Sequence, residues 1–431
     1  MHDSDIIKAP HHNQKGICPM PNTDFTPYII ELKDAVIENV SSSDDSIIIS
    51  FHLKRRPHFC PSCNAVTDKV HDYRRSVIKD TPIMGKKTLL YYNKRRYVCP
   101  FCNKKFYESF PLTGKYCRIS NRLIFYSVDM LSGVQSASCV ADYTGISAST
   151  IFRRMNDISF ATPNALPVVL SIDEFRGNAD GKKFQVILTD PKKHDLIDIL
   201  PTRTQNVLID YFKRFPNKKD VRFFIMDMNR VYKELAEAFF PNAKIVIDRF
   251  HVVRYVTWAL ENVRKRVQKM MHPSKRKYFK RSRKLLLAHH SKLSEENLQA
   301  LEIMLSQSGD LATAYYLKEL FYEFMSSDSK GEAVKKLNKF ILAAEVSGLN
   351  EFRACLTMLH NWSKYILNAF DCPYSNGFTE GTNNKIKVIK RNAYGFRSFK
   401  NFRTRIFLAV KKRGRKNDLP TPKSVLPQLL T

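Results

Sequence analysis

Between Val168 and Asp248 the chain carries five short apolar segments whose order few folds accept. Val168–Asp173, Lys182–Asp190 and Asp195–Leu200 follow one another closely, with Gly177, Gly181 and Pro191 in the gaps. They predict three meandering strands joined by hairpins. A helix is expected near Thr204–Phe215, a buried strand at Val221–Asp227, a helix running to Phe240, a buried strand at Ala243–Asp248 and then another helix. The order βββαβαβα demands a mixed sheet covered by helices.

That order describes an RNase H-like fold, in which the first and fourth strands are neighbours. Asp173 ends the first strand and Asp227 the fourth, so their carboxylates are expected to converge at one sheet edge. Carboxylates closing buried strands must be satisfied, and hard divalent cations do that. A third acid is wanted from a later helix. Glu380 is the best candidate, at the start of TEGTNNKIKVIK, with Asn384 and Lys387 at i+4 and i+7 on the same face. Such a set suits two Mg²⁺ ions, or Mn²⁺, that activate an attacking oxygen and stabilise a leaving one. The amide and ammonium would then serve DNA. Glu174 is the rival to Asp173, but strand alternation points it the other way. Asp248 and His251 close the fifth strand as a DxxH pair. They support the site from behind the metal ligands, touch the scissile phosphate, or form a purely structural pair.

Cys60-Pro-Ser-Cys63 and Cys99-Pro-Phe-Cys102 are two CxxC knuckles with the same Pro after the first Cys. Two such turns closed over one another give the four thiolates of a tetrahedral, structural zinc site. The 35 residues between Cys63 and Cys99 exceed a minimal ribbon, so a small sheet is expected there. His58 and His71 rank lower as ligands. Nine cysteines, an odd number with four in tight pairs, fit a metal site in a reducing cytoplasm better than disulfides.

Ser136–Tyr143 reads as a helix, Thr144-Gly145-Ile146 as a tight turn, and Ser147 as the cap of a second helix, Ala148–Asp157. Helix, Gly turn and capped helix suit DNA reading through Ser147, Ser149, Arg153 and Arg154. The same text also builds a plain helical hairpin.

There are 71 Lys+Arg against 41 Asp+Glu, a net charge of +30, which points to a polyanion and above all to nucleic acid. Asn262–Leu285 holds eleven Lys/Arg and Gly381–Lys416 thirteen, neither with an acid. Both are expected to track DNA backbone. Trp258 and Trp362, the only tryptophans, are read as core before base-stacking residues. No run of 18 apolar residues is present, so no membrane span is expected. The predicted organisation is a tail and lead-in over 1–45, a zinc-binding module over 46–112 and a helix-turn-helix domain over 113–162. The catalytic domain follows over 163–255, then an all-helical insertion over 256–370, and the last catalytic part with a basic tail over 371–431.

Taken together, CPSC…CPFC, SIDEF, IMDMNRVY, IVIDRFHVV and GFTEGTNNKIKVIKRNAYGFRSFKNFR resemble the ISL-three family of bacterial insertion-sequence transposases. The resemblance runs from about Phe59 to Val410. It implies a zinc finger, a helix-turn-helix and a DDE strand-transferase domain interrupted by helices, with the acids at Asp173, Asp227 and Glu380. The implied partners are double-stranded DNA, as transposon ends and target, and further copies of the chain in the DNA complex. The implied location is the bacterial cytoplasm, at the nucleoid. The alternatives are a non-catalytic DNA-binding regulator descended from a transposase, or another RNase H-like nuclease.

Overall fold

A computed structural model describes residues 32–114, 116–158, 160–274, 276 and 283–411. Of the expected tail and lead-in over 1–45, residues 1–31 lie outside these residues, as do part of the first basic run and the basic tail after 411, while the rest of the lead-in contributes a strand, Ala35–Ser42. The chain forms two compact units. Among the described residues, one comprises those from Leu32 to Ser127 with Asp142–Gly145, and the other comprises Val128–Ala141 and those from Ile146 to Lys411.

The first unit is built on a five-stranded sheet. It holds β1 (Ala35–Ser42), β2 (Ser46–Leu53), β5 (Val70–Ile83), β6 (Lys86–Val98) and β7 (Lys105–Tyr107), with the short hairpin β3 (His58–Phe59) and β4 (Val66–Thr67) beside it. β2 alternates strictly, burying Ile47, Ile49, Phe51 and Leu53 on one face. That period-two pattern fixes its register against the core of Ile78, Leu90 and Tyr92. β5 and β6 form a long hairpin closed by Met84-Gly85, both at positive φ (53° and 78°). Two left-handed residues match the right-handed twist of the flanking strands.

Three helices follow: α1 (Asn121–Met130), α2 (Ala137–Thr144) and α3 (Ala148–Met155). Gly145 takes φ +69°, which a side chain would strain. Ser147 then caps α3 by accepting from the Thr150 N–H.

The second unit carries a sheet of order β10-β9-β8-β11-β12, formed by β8 (Val169–Phe175), β9 (Gln185–Asp190), β10 (Asp195–Leu200), β11 (Phe223–Met226) and β12 (Lys244–Ile247). The first three strands meander antiparallel, while β8, β11 and β12 run parallel. α4 (Gln205–Lys213) and α5 (Arg230–Phe239) link the later strands. Both faces are covered, so the strands are largely buried on both sides and alternation shows in which core each apolar residue joins. Leu170, Ile172, Val186, Leu188, Phe224 and Met226 share one core with α4, α5 and a run of helices from Arg249 to Leu367. That run includes the long α6 (Arg249–Met270). Phe175, Ile187 and Ile199 face the other way, onto α12 (Gly377–Asn392) and α13 (Phe399–Lys411) through Ile386, Phe402, Ile406 and Phe407. Among the described residues no helix is long and apolar enough to cross a membrane.

Candidate active site and zinc centre

The two cysteine knuckles have the same local geometry. The Cys60 carbonyl accepts from the Asn64 N–H and the Cys99 carbonyl from the Asn103 N–H, each at 3.0 Å. Asn64 and Asn103 both take positive φ (58° and 53°), a conformation Asn tolerates better than most residues. This text, CPxCN twice, was a signal that sequence reading passed over. The Sγ atoms of Cys60 and Cys102 are 3.5 Å apart, as are those of Cys63 and Cys99, and all four ligand atoms lie within 4.8 Å of one another. Burial opposes ionisation of Cys60, but the N–H groups of Cys63 and Ser62 together with the Cys102 and Cys63 sulfurs outweigh it and hold the thiol at about 6, while Cys63, despite the Ala65 N–H, is pushed up to about 12 by the Cys102 and Cys99 sulfurs. Four thiolates this close repel strongly without a cation, so the donor set fits zinc. His58 packs against Tyr97 and His71 against Arg96 and Asp72, both outside the cluster.

In the second unit, Ser171 and Asp173 alternate with the core residues Leu170 and Ile172, so they face α12 rather than α4 and α5. Asp227 and Asp248 follow the last residues of β11 and β12. β8 runs on to Phe175, two residues past Asp173 where sequence reading ended it, and Phe175 packs edge-on against Phe402 at 5.8 Å. Asp173 is 8% exposed, and its Oδ1 accepts from the Glu174 N–H at 2.7 Å. Burial, then the charge of Asp227, pushes Asp173 up to about 7. Burial, then Asp248, Glu174 and Glu380, pushes Asp227 to about 7 as well. Burial and Asp248 also raise Glu380. The acids therefore form one electrostatic group that resists ionising in the absence of a cation.

Asp227 Oδ1 lies 3.1 Å from His251 Nε2. The two atoms are not aligned as a hydrogen bond, and Oδ1 is buried with no donor among the described residues. Asp227, Asp248 and His251 bring their ligand atoms within 4.8 Å of one another, while Asp173 and Glu380 stand outside that set. Asp248 also caps α6 by accepting from the Phe250 N–H. An oxygen left without a donor in a carboxylate cluster fits a hard divalent ion.

α12 reaches the acids through residues that sequence reading missed. Asn383, i+3 from Glu380, donates to Asp173 Oδ2 at 2.7 Å. Asn376 is the N-cap position of α12 but does not cap it. Its amide oxygen accepts from Ser171 Oγ at 2.6 Å and its NH₂ donates to Asp248 Oδ2 at 3.2 Å. The Thr379 hydroxyl lies 2.7 Å from that of Thr189 and donates to Ser171 Oγ at 3.3 Å. These buried bonds tie the helix that follows the long helical run to strands laid down before it. The spacing of Asn383 from Glu380 was the available signal. Asn376 lies in the turn cluster DCPYSNG and gave none.

The remaining predicted residues sit as follows. Asn384 and Lys387 are exposed on α12, with the ammonium donating to the Asn384 oxygen at 3.2 Å. Ser147, Ser149 and Arg153 are exposed on the α3 side of the Gly145 turn. Arg154 is half-buried and pairs with Asp157 at 3.3 Å. α3 ends at Met155, short of the expected Asp157. Glu174 accepts from Arg203 at 2.7 and 2.9 Å, yet it lines the same cavity as Asp227.

A basic two-unit protein with a four-cysteine knuckle pair and a carboxylate cluster on a mixed sheet matches one class of enzyme. Residues 170–406, more than half the chain, match a family described as transposase, of the ISL3 type with a DDE domain, and the chain belongs to that family. Residues 56–102 match the zinc-finger of transposases of IS204, IS1001, IS1096 and IS1165. The chain is 26% identical over 364 residues to the transposase for insertion sequence element IS1001 of Bordetella parapertussis, covering 82% of this chain and 89% of that protein. A 55-residue stretch, 12% of this chain, is 54% identical to part of an ATP-dependent protease of Lactococcus lactis subsp. lactis and covers 18% of it. So short a match carries no argument about activity.

Proposed function

We propose that the protein is a DDE transposase with an RNase H-like catalytic domain, which binds the terminal inverted repeats of an insertion sequence and cuts and rejoins DNA there. The observation that carries this reading is the gathering of Asp173, Asp227 and Asp248 on the sheet face that α12 covers with Glu380 and Asn383. Asp173, Asp227 and Glu380 would hold two Mg²⁺ ions, or Mn²⁺, with Asp248 and His251 close enough to Asp227 to share a ligand position. When bound, such ions activate a water or a 3′-hydroxyl and stabilise the leaving oxygen. Asn383 keeps the Asp173 carboxylate turned toward the cluster. Lys387 and Asn384 hold the DNA backbone alongside it. The helix-turn-helix over α2 and α3 reads the ends through Ser147, Ser149 and Arg153, with Arg154 set beside them. Cys60, Cys63, Cys99 and Cys102 hold the structural zinc that shapes the basic first unit. Pairing two ends requires at least two copies of the chain on the DNA.

The test is incubation of the purified protein with labelled ends of the element that carries its gene, with and without Mg²⁺. Metal-dependent nicks at the repeat boundary, followed by joining to a target duplex, are expected. Tight end binding with no cleavage under any divalent ion would leave only a DNA-binding regulator.

A further inference from the structure

We propose that the exposed side of α6 is a stacking site for an unpaired nucleobase, with Trp258 as its platform, a proposal that rests on the transposase reading above. Phe250, Arg254 and Trp258 recur at i, i+4 and i+8 and so form one stripe along the helix. The opposite side of α6 carries the buried Val252, Val256, Ala259 and Leu260. The helix thus has a core face of its own, and Trp258 is not on it. Trp258 is 51% exposed and Phe250 61%. Trp258, Arg254 and Tyr255 line a cavity of about 390 Å³ with Asp227 and His251, a size ordinary for a small planar ligand.

The chemistry of the stripe selects the occupant. Arg254 places its guanidinium 4.3 Å from the centre of the Trp258 ring. That cation covers one ring face, yet half of the tryptophan surface still meets solvent. An indole backed by a guanidinium offers a flat surface to a base and a positive charge to the phosphate beside it. A base inside a duplex has both faces covered by its neighbours, so only an unpaired or extruded base can use the platform. Trp258 lies seven residues beyond His251, about 10 Å along the helix axis. That is about three stacked base steps, so the base it takes belongs within about three nucleotides of the phosphate held at the acids. The charge of +30 makes a polyanion a better occupant of this surface than an apolar protein partner.

Trp362→Phe in the full chain leaves Trp258 as the sole tryptophan and makes its fluorescence a direct reporter. The probes are a mixed-sequence duplex with a two-nucleotide bulge, the same duplex fully paired, and the same bulge made of abasic nucleotides, with binding followed separately by anisotropy. Twofold or greater quenching by the bulged duplex alone is expected, and Trp258→Ala should weaken binding of that probe roughly tenfold while Trp258→Phe keeps most of it. Binding of all three DNAs with equal quenching, or with none, overturns the proposal, as does a Trp258→Ala protein that binds the bulge as tightly as the parent. Those outcomes leave the transposase reading intact if the Trp258→Ala protein still cuts element ends. Anisotropy that stays flat with every DNA at low salt would overturn both.

Discussion

Asn383 donates a 2.7 Å hydrogen bond to Oδ2 of Asp173, a residue 210 positions earlier in the chain. The Asn383 amide is 6% exposed, and its own oxygen is buried with no donor among the described residues. The amide therefore spends its donor on the carboxylate and leaves its acceptor unmatched. A buried acceptor left unmatched costs about 1–3 kcal/mol, a cost tolerated where the bond it accompanies orients a reacting group.

Asn383→Ala should lower the rate of end cleavage by about tenfold or more while leaving DNA affinity unchanged. Asn383→Asp should do worse, since it sets a second carboxylate against Asp173. Single-turnover cleavage and gel-shift measurements on the same preparations separate the two effects. Equal losses of binding and cleavage would assign Asn383 to folding instead.

Asp227→Asn should abolish cleavage and strand transfer and leave end binding intact. It should also raise the unfolding free energy of the metal-free protein by about 1–2 kcal/mol, because one displaced pKa unit is worth about 1.4 kcal/mol and a buried charge is removed. Denaturant melts without divalent ions check the second half, and a destabilised Asp227→Asn protein would contradict it.

The paired carboxylates make stability pH-dependent. Asp173 and Asp227 are both pushed up to about 7, chiefly by burial, above an ordinary value of about 4. The folded state then binds more protons than the unfolded state between about pH 4 and pH 7. Their contribution is full below pH 4 and is lost as pH rises through 7. The metal-free melting midpoint should fall across that window more steeply in the parent than in Asp173→Asn, and MgCl₂ at pH 8 should recover the loss. Identical pH slopes in the two proteins would refute the assignment.

The cysteine knuckles predict one zinc per chain, released by chelators with loss of the first unit's fold. Cys60→Ser should bind less zinc and melt earlier. Asn103→Val should cost about 1 kcal/mol through its left-handed backbone alone, with zinc retained. Elemental analysis beside thermal melts distinguishes these outcomes.

Much of this was legible because it was periodic or repeated. The five apolar segments between Val168 and Asp248 predicted β8 to β12, and the doubled CPxC marked the four thiols that cluster. The strand order placed Asp173 and Asp227 on neighbouring strands, as β8 and β11 are. What stayed hidden depends on packing between distant segments. Asn383 and Asn384 are adjacent, and helical spacing from Glu380 admits both. Only the seat of α12 on the sheet turns the first inward and leaves the second in solvent. Asn376 sits in a turn whose composition says nothing of Ser171, 205 residues away. Trp258 was read as core on composition, but its place on α6 leaves it open to solvent.

The hydrogen bonds that bind Asn376, Thr379 and Asn383 to β8 and β9 also order events during synthesis. A ribosome that has delivered residue 370 has made Asp173, Asp227 and Asp248 but none of these anchors, nor Glu380. In the proposed enzyme the nascent chain can bind DNA through its zinc module and helix-turn-helix long before it can cut, and competence waits for α12. The long helical run between β12 and α12 thus works as a timer, holding the cutting function back until α12 has been made.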